Sequence, residues 1–227
     1  MKLHYMYDES FSDLKDIFLS SLKDDFQLNP IKIPTPIFED GCKPYKKFGG
    51  GFETWKYKIS NIIRIIDECD ENELFIFSDV DIVFYQSTKN IINKLSIDAD
   101  ILFLREFFED VRPDIQIGNI NIGFMAIRST PEVRRFFFDV YETMISTNVM
   151  EQYVINDILY NKHDYKLTWK LFPPTFCSSS VGIENINKDI ILYHANCSVG
   201  KDQKVEYINK VNSIVQDLNL CIACPIT

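Results

Sequence analysis

Asp79 and Asp81 are the residues best placed to do chemistry in this chain. They interrupt the run Glu73 to Phe84, ELFIFSDVDIVF, in which Leu74, Phe75, Ile76 and Phe77 read as a buried strand rich in β-branched and aromatic side chains. Side chains at i and i+2 share one side of a strand, so both carboxylates converge where the strand ends. The carboxyl end of a central strand is where open α/β sheets bind ligands. Hard oxygen ligands of this kind suit Mg²⁺ or Mn²⁺, ions that commonly bridge to phosphate. The residues alone therefore point to a metal–diphosphate site. Asp98 and Asp100 repeat the spacing, but they precede their apolar run, Ile101 to Leu104, and read as a solvated turn entering a strand.

The flanking sequence supplies the elements that must carry these carboxylates. Lys2 to Tyr7 reads as a first strand, and Ser10 with Asp13 resembles a capping pair opening a helix to about Asp24. A strand end leading into a helix N-terminus favours a nucleotide base or phosphate. Tyr7 could stack there and Asp8 could hydrogen-bond a base, while an ordinary Asp-rich turn is the other reading. Ile31 to Ile33 is a short second strand. The loop Phe38 to Phe52 carries Lys43, Lys46, Lys47 and Gly49-Gly50-Gly51 without either the P-loop or the dinucleotide glycine spacing. Glu53 to Cys69 is a helix burying Ile59, Ile62, Ile63 and Ile66, with Lys58 in its early turns a candidate nucleotide contact.

Beyond the carboxylates come a short helix (Ser87 to Leu95), a strand (Asp100 to Leu104) and a polar stretch with Glu106, Glu109, Asp110, Arg112 and Asp114. A strand from Asn119 to Arg128 contains Gly123, and glycine within a strand marks close approach of a ligand or another backbone. Helices follow from Pro131 to about Thr147 and from Met150 to about Tyr160. Strands are expected at Leu167 to Phe172 and Ile190 to Tyr193, and a last amphipathic helix runs to about Leu218. Strands alternating with helices argue for a largely parallel sheet.

With 227 residues and 46% hydrophobic content, the chain can bury one substantial core. Its net charge of −9 offers no basic stripe for nucleic acid. The N-terminus MKLHYMYDES reaches acidic residues too early for a signal peptide, and no stretch approaches a membrane span, so a cytoplasmic location is expected. The six cysteines (Cys42, Cys69, Cys177, Cys197, Cys221, Cys224) are expected to be reduced. Residues 219–227 read as a tail, or the start of a linker if the chain is one domain of a longer protein.

Taken in order, FSDVD, NIGFMAIRST, EQYVIN and HANCSVGKDQK resemble the nucleotide-diphospho-sugar transferases, including small virus-encoded ones. The resemblance implies one GT-A (Rossmann-like) α/β domain over residues 1–227, with a mostly parallel mixed sheet flanked by helices. It implies a glycosyltransferase, hexosyl or pentosyl, that uses Mn²⁺ (or Mg²⁺) and a nucleotide diphosphate sugar, with UDP the expected carrier. The acceptor would be a hydroxyl of a glycan or glycoprotein. Asp79, Asp81 and His194 would hold the metal, and Lys204 or Lys201, beyond Gly200, would meet the diphosphate. Asn121 and Gly123, with Glu151 and Gln152, would face the donor sugar or acceptor. The chain departs from the family pattern in Glu151, where Asp is commoner, and in Cys197, where an aromatic is frequent. Two alternatives remain open at this point. One is a haloacid-dehalogenase-like phosphatase, in which Asp79 would be the nucleophile and Asp81 the acid/base. The other is a sugar-nucleotide-binding domain without turnover.

Overall fold

The computed structural model describes residues 1–34, 51–106, 120–161, 164–178, 183, 186, 189–196 and 200–223. The expected lysine- and glycine-bearing loop through Gly50, the charged residues Glu109, Asp110, Arg112 and Asp114, and Cys197 lie outside that set. The strands are β1 (Lys2–Tyr7), β2 (Gln27–Lys32), β3 (Leu74–Asp79), β4 (Ile82–Phe84), β5 (Ile101–Glu106), β6 (Ile120–Arg128), β7 (Trp169–Leu171), β8 (Phe176–Ser178) and β9 (Leu192–His194). The helices are α1 (Ser12–Ser21), α2 (Phe52–Glu68), α3 (Lys89–Leu95), α4 (Pro131–Thr147), α5 (Glu151–Asn161) and α6 (Gly200–Ala223).

These strands form one mixed sheet in the order β2-β1-β3-β6-β5-β8-β9-β4, with β7 also on β5. The expected parallel core is present in β2-β1-β3, but β6 runs antiparallel to both β3 and β5, and β4 antiparallel to β9. Alternation along each strand assigns the faces. Phe75, Phe77, Phe103, Met125 and Ile127 pack under α2, α4 and α5, with Ile59, Ile62, Ile65, Phe136, Phe137 and Ile155. Ile76, Leu102, Leu104, Phe124 and Ala126 pack on the other face with Leu14, Phe18, Ile208 and Val211 from α1 and α6.

Several boundaries differ from the sequence reading for local reasons. Asp8, not Ser10, caps the first turn: its carboxylate accepts from the Ser10 backbone N–H and from the Ser10 hydroxyl. β7 falls within the expected strand Leu167 to Phe172; Pro173-Pro174 then breaks the ladder, and a further strand that the sequence reading did not include, β8, rejoins the same edge of β5. Past Leu218 no Gly or Pro precedes Pro225, and α6 continues to Ala223. Asp98 and Asp100 sit in a turn entering β5; Asp98 pairs with Lys170, and Asp100 accepts from Thr168 N–H (2.7 Å) and Oγ1 (2.9 Å). Among the described residues no helix is long and apolar enough to cross a membrane.

Candidate functional site

The carboxylates sit where one strand stops and another begins. Asp79 closes β3, Asp81 precedes β4, and β4 leaves β3 to pair with β9. Because residues 75, 77 and 79 share a side of β3, Asp79 turns toward α2, where the buried Lys58 ammonium meets its Oδ2 at 2.8 Å. β1 runs parallel to β3 with Met6 beside Asp79. Tyr7 and Asp8 therefore leave the sheet on the same edge as the carboxylates. Tyr7 carries Lys15 over its ring at 4.9 Å, and one Asp8 oxygen is spent on the cap.

His194 reaches Asp81 through strand register. Ile82 pairs with His194, and the Ala195 N–H donates to the Asp81 carbonyl at 2.9 Å. The imidazole Nε2 then lies 3.2 Å from Asp81 Oδ1, and Lys204 from α6 places its ammonium 2.5 Å from Asp81 Oδ2 while also donating to the Ala195 carbonyl. Space for the ring comes from Gly123. Between β5 and β6 the register jumps at Phe103/Leu104, so Gly123 lies in an irregularity of the ladder. A Cβ at Gly123 would stand 2.1 Å from His194 Cε1. The glycine in the strand thus marks close approach of an imidazole.

Behind the ring lies a buried polar network. β8 pairs with both β9 and β5, aligning Ser178 with His194 and with Glu106. Asn121 Oδ1 lies 3.1 Å from His194 Nδ1 and accepts the Gly123 N–H at 2.9 Å, while Asn121 Nδ2 donates to Glu106 Oε2 at 2.7 Å. Glu106 also accepts from Asn196 Nδ2 (2.7 Å) and Gln152 Nε2 (3.3 Å). Asn156 ties α5 to β6, accepting from Ile120 N–H and donating to the Ile120 carbonyl.

Burial and charge compete throughout the site. Burial would raise the Asp81 carboxyl, but the charges of Lys204 and His194 outweigh it and hold Asp81 far below the usual carboxylate range. Burial would lower the Lys58 ammonium, but Asp79, Glu151 and Asp81 hold it above the ordinary lysine value. Glu106 is raised by burial against the hydrogen bonds from Asn121 and Asn196. Burial pushes Glu151 up to about 7 despite the opposing charge of Lys58, and its Oε2 has no partner among the described residues.

Asp79, Asp81 and His194 each offer one ligand atom, and these atoms lie within 4.8 Å of one another. Two carboxylate oxygens and one imidazole nitrogen form a donor set that Mg²⁺ or Mn²⁺ accepts. One ammonium group lies against each of these carboxylates, Lys58 on Asp79 and Lys204 on Asp81, and offsets its negative charge.

The profile of the family described as nucleotide-diphospho-sugar transferase matches residues 69–208, from the end of α2 into α6. The chain belongs to this family. No curated protein matches the sequence. Among solved structures, this nucleotide-diphospho-sugar transferase resembles the galactosyltransferase LgtC in complex with donor and acceptor sugar analogues. The TM-score is 0.58 at 10% identity, over 94% of this chain and 96% of that one. A glycosyltransferase involved in glycosylating the major capsid of PBCV-1 gives 0.58 at 12% identity, over 92% and 99%. Mouse xyloside xylosyltransferase 1 gives 0.52 at 12% identity, over 88% and 98%. These likenesses establish the fold as that of GT-A glycosyltransferases, a single α/β domain with a mixed sheet flanked by helices.

Within the transferase, Asp79, Asp81, His194, Lys204, Lys58, Asn121 and Gly123 form one cluster, and Gln152 joins it through Glu106. Lys201 does not join it; its ammonium pairs with Asp13 of α1 at 2.9 Å. Gly200 opens α6 at φ 80°, a left-handed conformation natural to glycine. Glu106 was legible only as one acid in a polar run, and Ser178 carried no signal in its serine-rich stretch. Asn196 was visible within the HANCS motif without a role.

Proposed function

We propose that this transferase moves a glycosyl group from a nucleoside diphosphate sugar to a hydroxyl of a glycan or glycoprotein acceptor, with Mn²⁺ or Mg²⁺ held by Asp79, Asp81 and His194. The observation that carries the reading is the convergence of those three donors at the carboxyl edge of the sheet, flanked by Lys58 and Lys204. UDP is the carrier the family resemblance favours. The similar structures include a galactosyltransferase and a xylosyltransferase, so a hexose and a pentose are both candidate donors.

In the transfer, the bond from the anomeric carbon to the diphosphate oxygen breaks and its electron pair leaves with the diphosphate. The acceptor hydroxyl oxygen bonds to that carbon and loses its proton. A bound cation would supply Lewis-acid stabilisation of the leaving group's charge. Lys204, on the α6 segment beyond Gly200, brings a positive charge to the same place, and such preorganised charge acts most strongly as the leaving group departs. Asp8 and Tyr7 stand at the sheet edge where a base would lie. Glu151, whose Oε2 has no hydrogen-bond partner among the described residues, and Gln152 are the polar groups of α5 offered to sugar hydroxyls in this reading. Family membership and the joint engagement of His194 and Lys204 with Asp81 favour transfer over a phosphatase with an aspartyl nucleophile. Incubation with a panel of nucleotide sugars, Mn²⁺ and simple glycosides tests the proposal. Cation-dependent nucleotide release that rises with an acceptor is expected, and no release from any donor would contradict it.

A further inference from the structure

Asp81 has both carboxylate oxygens engaged inside the protein. Oδ1 lies 3.2 Å from His194 Nε2, and Oδ2 accepts from the Lys204 ammonium at 2.5 Å. The ammonium also donates to the Ala195 carbonyl at 3.0 Å. The Lys204 side chain is 15% exposed and that of Asp81 12%, so solvent screens this pair weakly. Lys58 neutralises Asp79 in a comparable way, but from the body of α2 and with a side chain only 6% exposed. Lys204 stands one turn into α6, behind Gly200. Its four-carbon stem lets the ammonium change partners without movement of the backbone. The backbone there is tied down, since Lys201 in the same turn pairs with Asp13 of α1 at 2.9 Å.

The function proposed above gives Lys204 a second task at the departing diphosphate. One ammonium cannot serve Asp81 and a diphosphate with full effect at once. A cation drawn to Asp81 also meets a positive charge already seated on that carboxylate, and like charges in a poorly screened site repel strongly.

We propose that Lys204 is an exchangeable counterion, which neutralises Asp81 in the ligand-free protein and passes to the diphosphate when cation and nucleotide bind together. The proposal rests on the metal-dependent reading above. It makes Lys204 a group through which the two ligands couple: each alone finds the ammonium on Asp81, and the pair together gives both the carboxylate and the ammonium a new partner. No proton moves and no covalent bond changes; Lys204 remains an ammonium throughout. The contrary role is equally definite. A lysine that merely orients Asp81 would weaken cation binding when removed.

The sign of that change is the test. Mn²⁺ binding to the full chain is read by electron paramagnetic resonance, without nucleotide and again with saturating UDP. The proteins are the wild type, Lys204→Met, Lys204→Gln and Lys201→Met. Lys204→Gln keeps a hydrogen-bond donor without the charge, and Lys201→Met removes the same charge from the same helix turn away from Asp81. Without UDP, both Lys204 variants should bind Mn²⁺ about tenfold more tightly than the wild type. With UDP that advantage should disappear, so the gain in Mn²⁺ affinity that UDP brings should be about tenfold smaller than in the wild type. Lys201→Met should match the wild type in both conditions. Unchanged or weaker Mn²⁺ binding by the Lys204 variants without UDP overturns the proposal and leaves the metal reading standing. An advantage equally large with and without UDP overturns the transfer to the diphosphate. Failure of every protein to bind Mn²⁺ in either condition overturns the metal reading and the proposal with it.

Discussion

Gly123 and Glu151 carry the site's most exposed physical consequences at the scale of single residues. A methyl group at Gly123 has no room beside His194, whose Cε1 would lie 2.1 Å away. The ring is held by β9 register and by Asn121, so it cannot retreat cheaply. Gly123→Ala should lower stability by about 1–3 kcal/mol, as overpacking generally does, and weaken Mn²⁺ binding more than a remote core substitution of equal stability loss. Denaturant unfolding and a Mn²⁺ titration of the same sample check both. Glu151 offers a pH signature. Its pKa in the fold, about 7, lies above its ordinary value of 4.5. A carboxyl raised in this way favours folding while protonated; the contribution is complete below pH 4.5 and is lost as pH climbs to about 7. Between those limits the wild type should lose on the order of 3 kcal/mol relative to Glu151→Gln, at roughly 1.4 kcal/mol per unit. Parallel stability curves for the two proteins from pH 5 to 8 would refute the burial argument.

At the scale of elements, α6 shows how one helix separates two lysines that look interchangeable in sequence. Val205, Ile208, Val211 and Val215 pack toward the sheet and α1. That orientation sends Lys204 in to Asp81 and leaves Lys201 on the surface with Asp13. Lys201→Ala should change turnover less than twofold and leave stability almost unaltered, as is typical of exposed pairs. Lys204→Ala should lower turnover by about 10²–10³, the usual loss for one charge at a departing anion. Steady-state kinetics of both variants decide between them. The same scale explains what sequence could show. Long elements announced themselves: the apolar run before Asp79 has strand length, and α2 and α4 carry clear helical periodicity. β4, β8 and β9 have three residues each, too few for alternation to register, yet their pairings bring His194, Ser178 and Glu106 together. His194 is legible in an ordered set of motifs, whereas Glu106 and Ser178 depend on long-range register that no local pattern encodes.

Across the whole molecule, the sheet is a device for gathering donors remote in sequence onto one edge. The parallel β1–β3 pair sets Tyr7 and Asp8 beside Asp79, and the antiparallel β4–β9 pair sets His194 beside Asp81. Helices cover both hydrophobic faces, and the polar edge is the ligand site we propose. We propose that this edge binds a nucleoside diphosphate through a divalent cation held by Asp79, Asp81 and His194. Isothermal calorimetry of UDP binding, in Mn²⁺ and again in EDTA, tests it most directly, with Asp81→Asn as the matched variant. Wild-type protein should bind UDP in Mn²⁺ and lose at least about tenfold in affinity in EDTA, roughly 1.4 kcal/mol, while Asp81→Asn should bind weakly in both. Equal wild-type affinity with and without the ion would contradict the account.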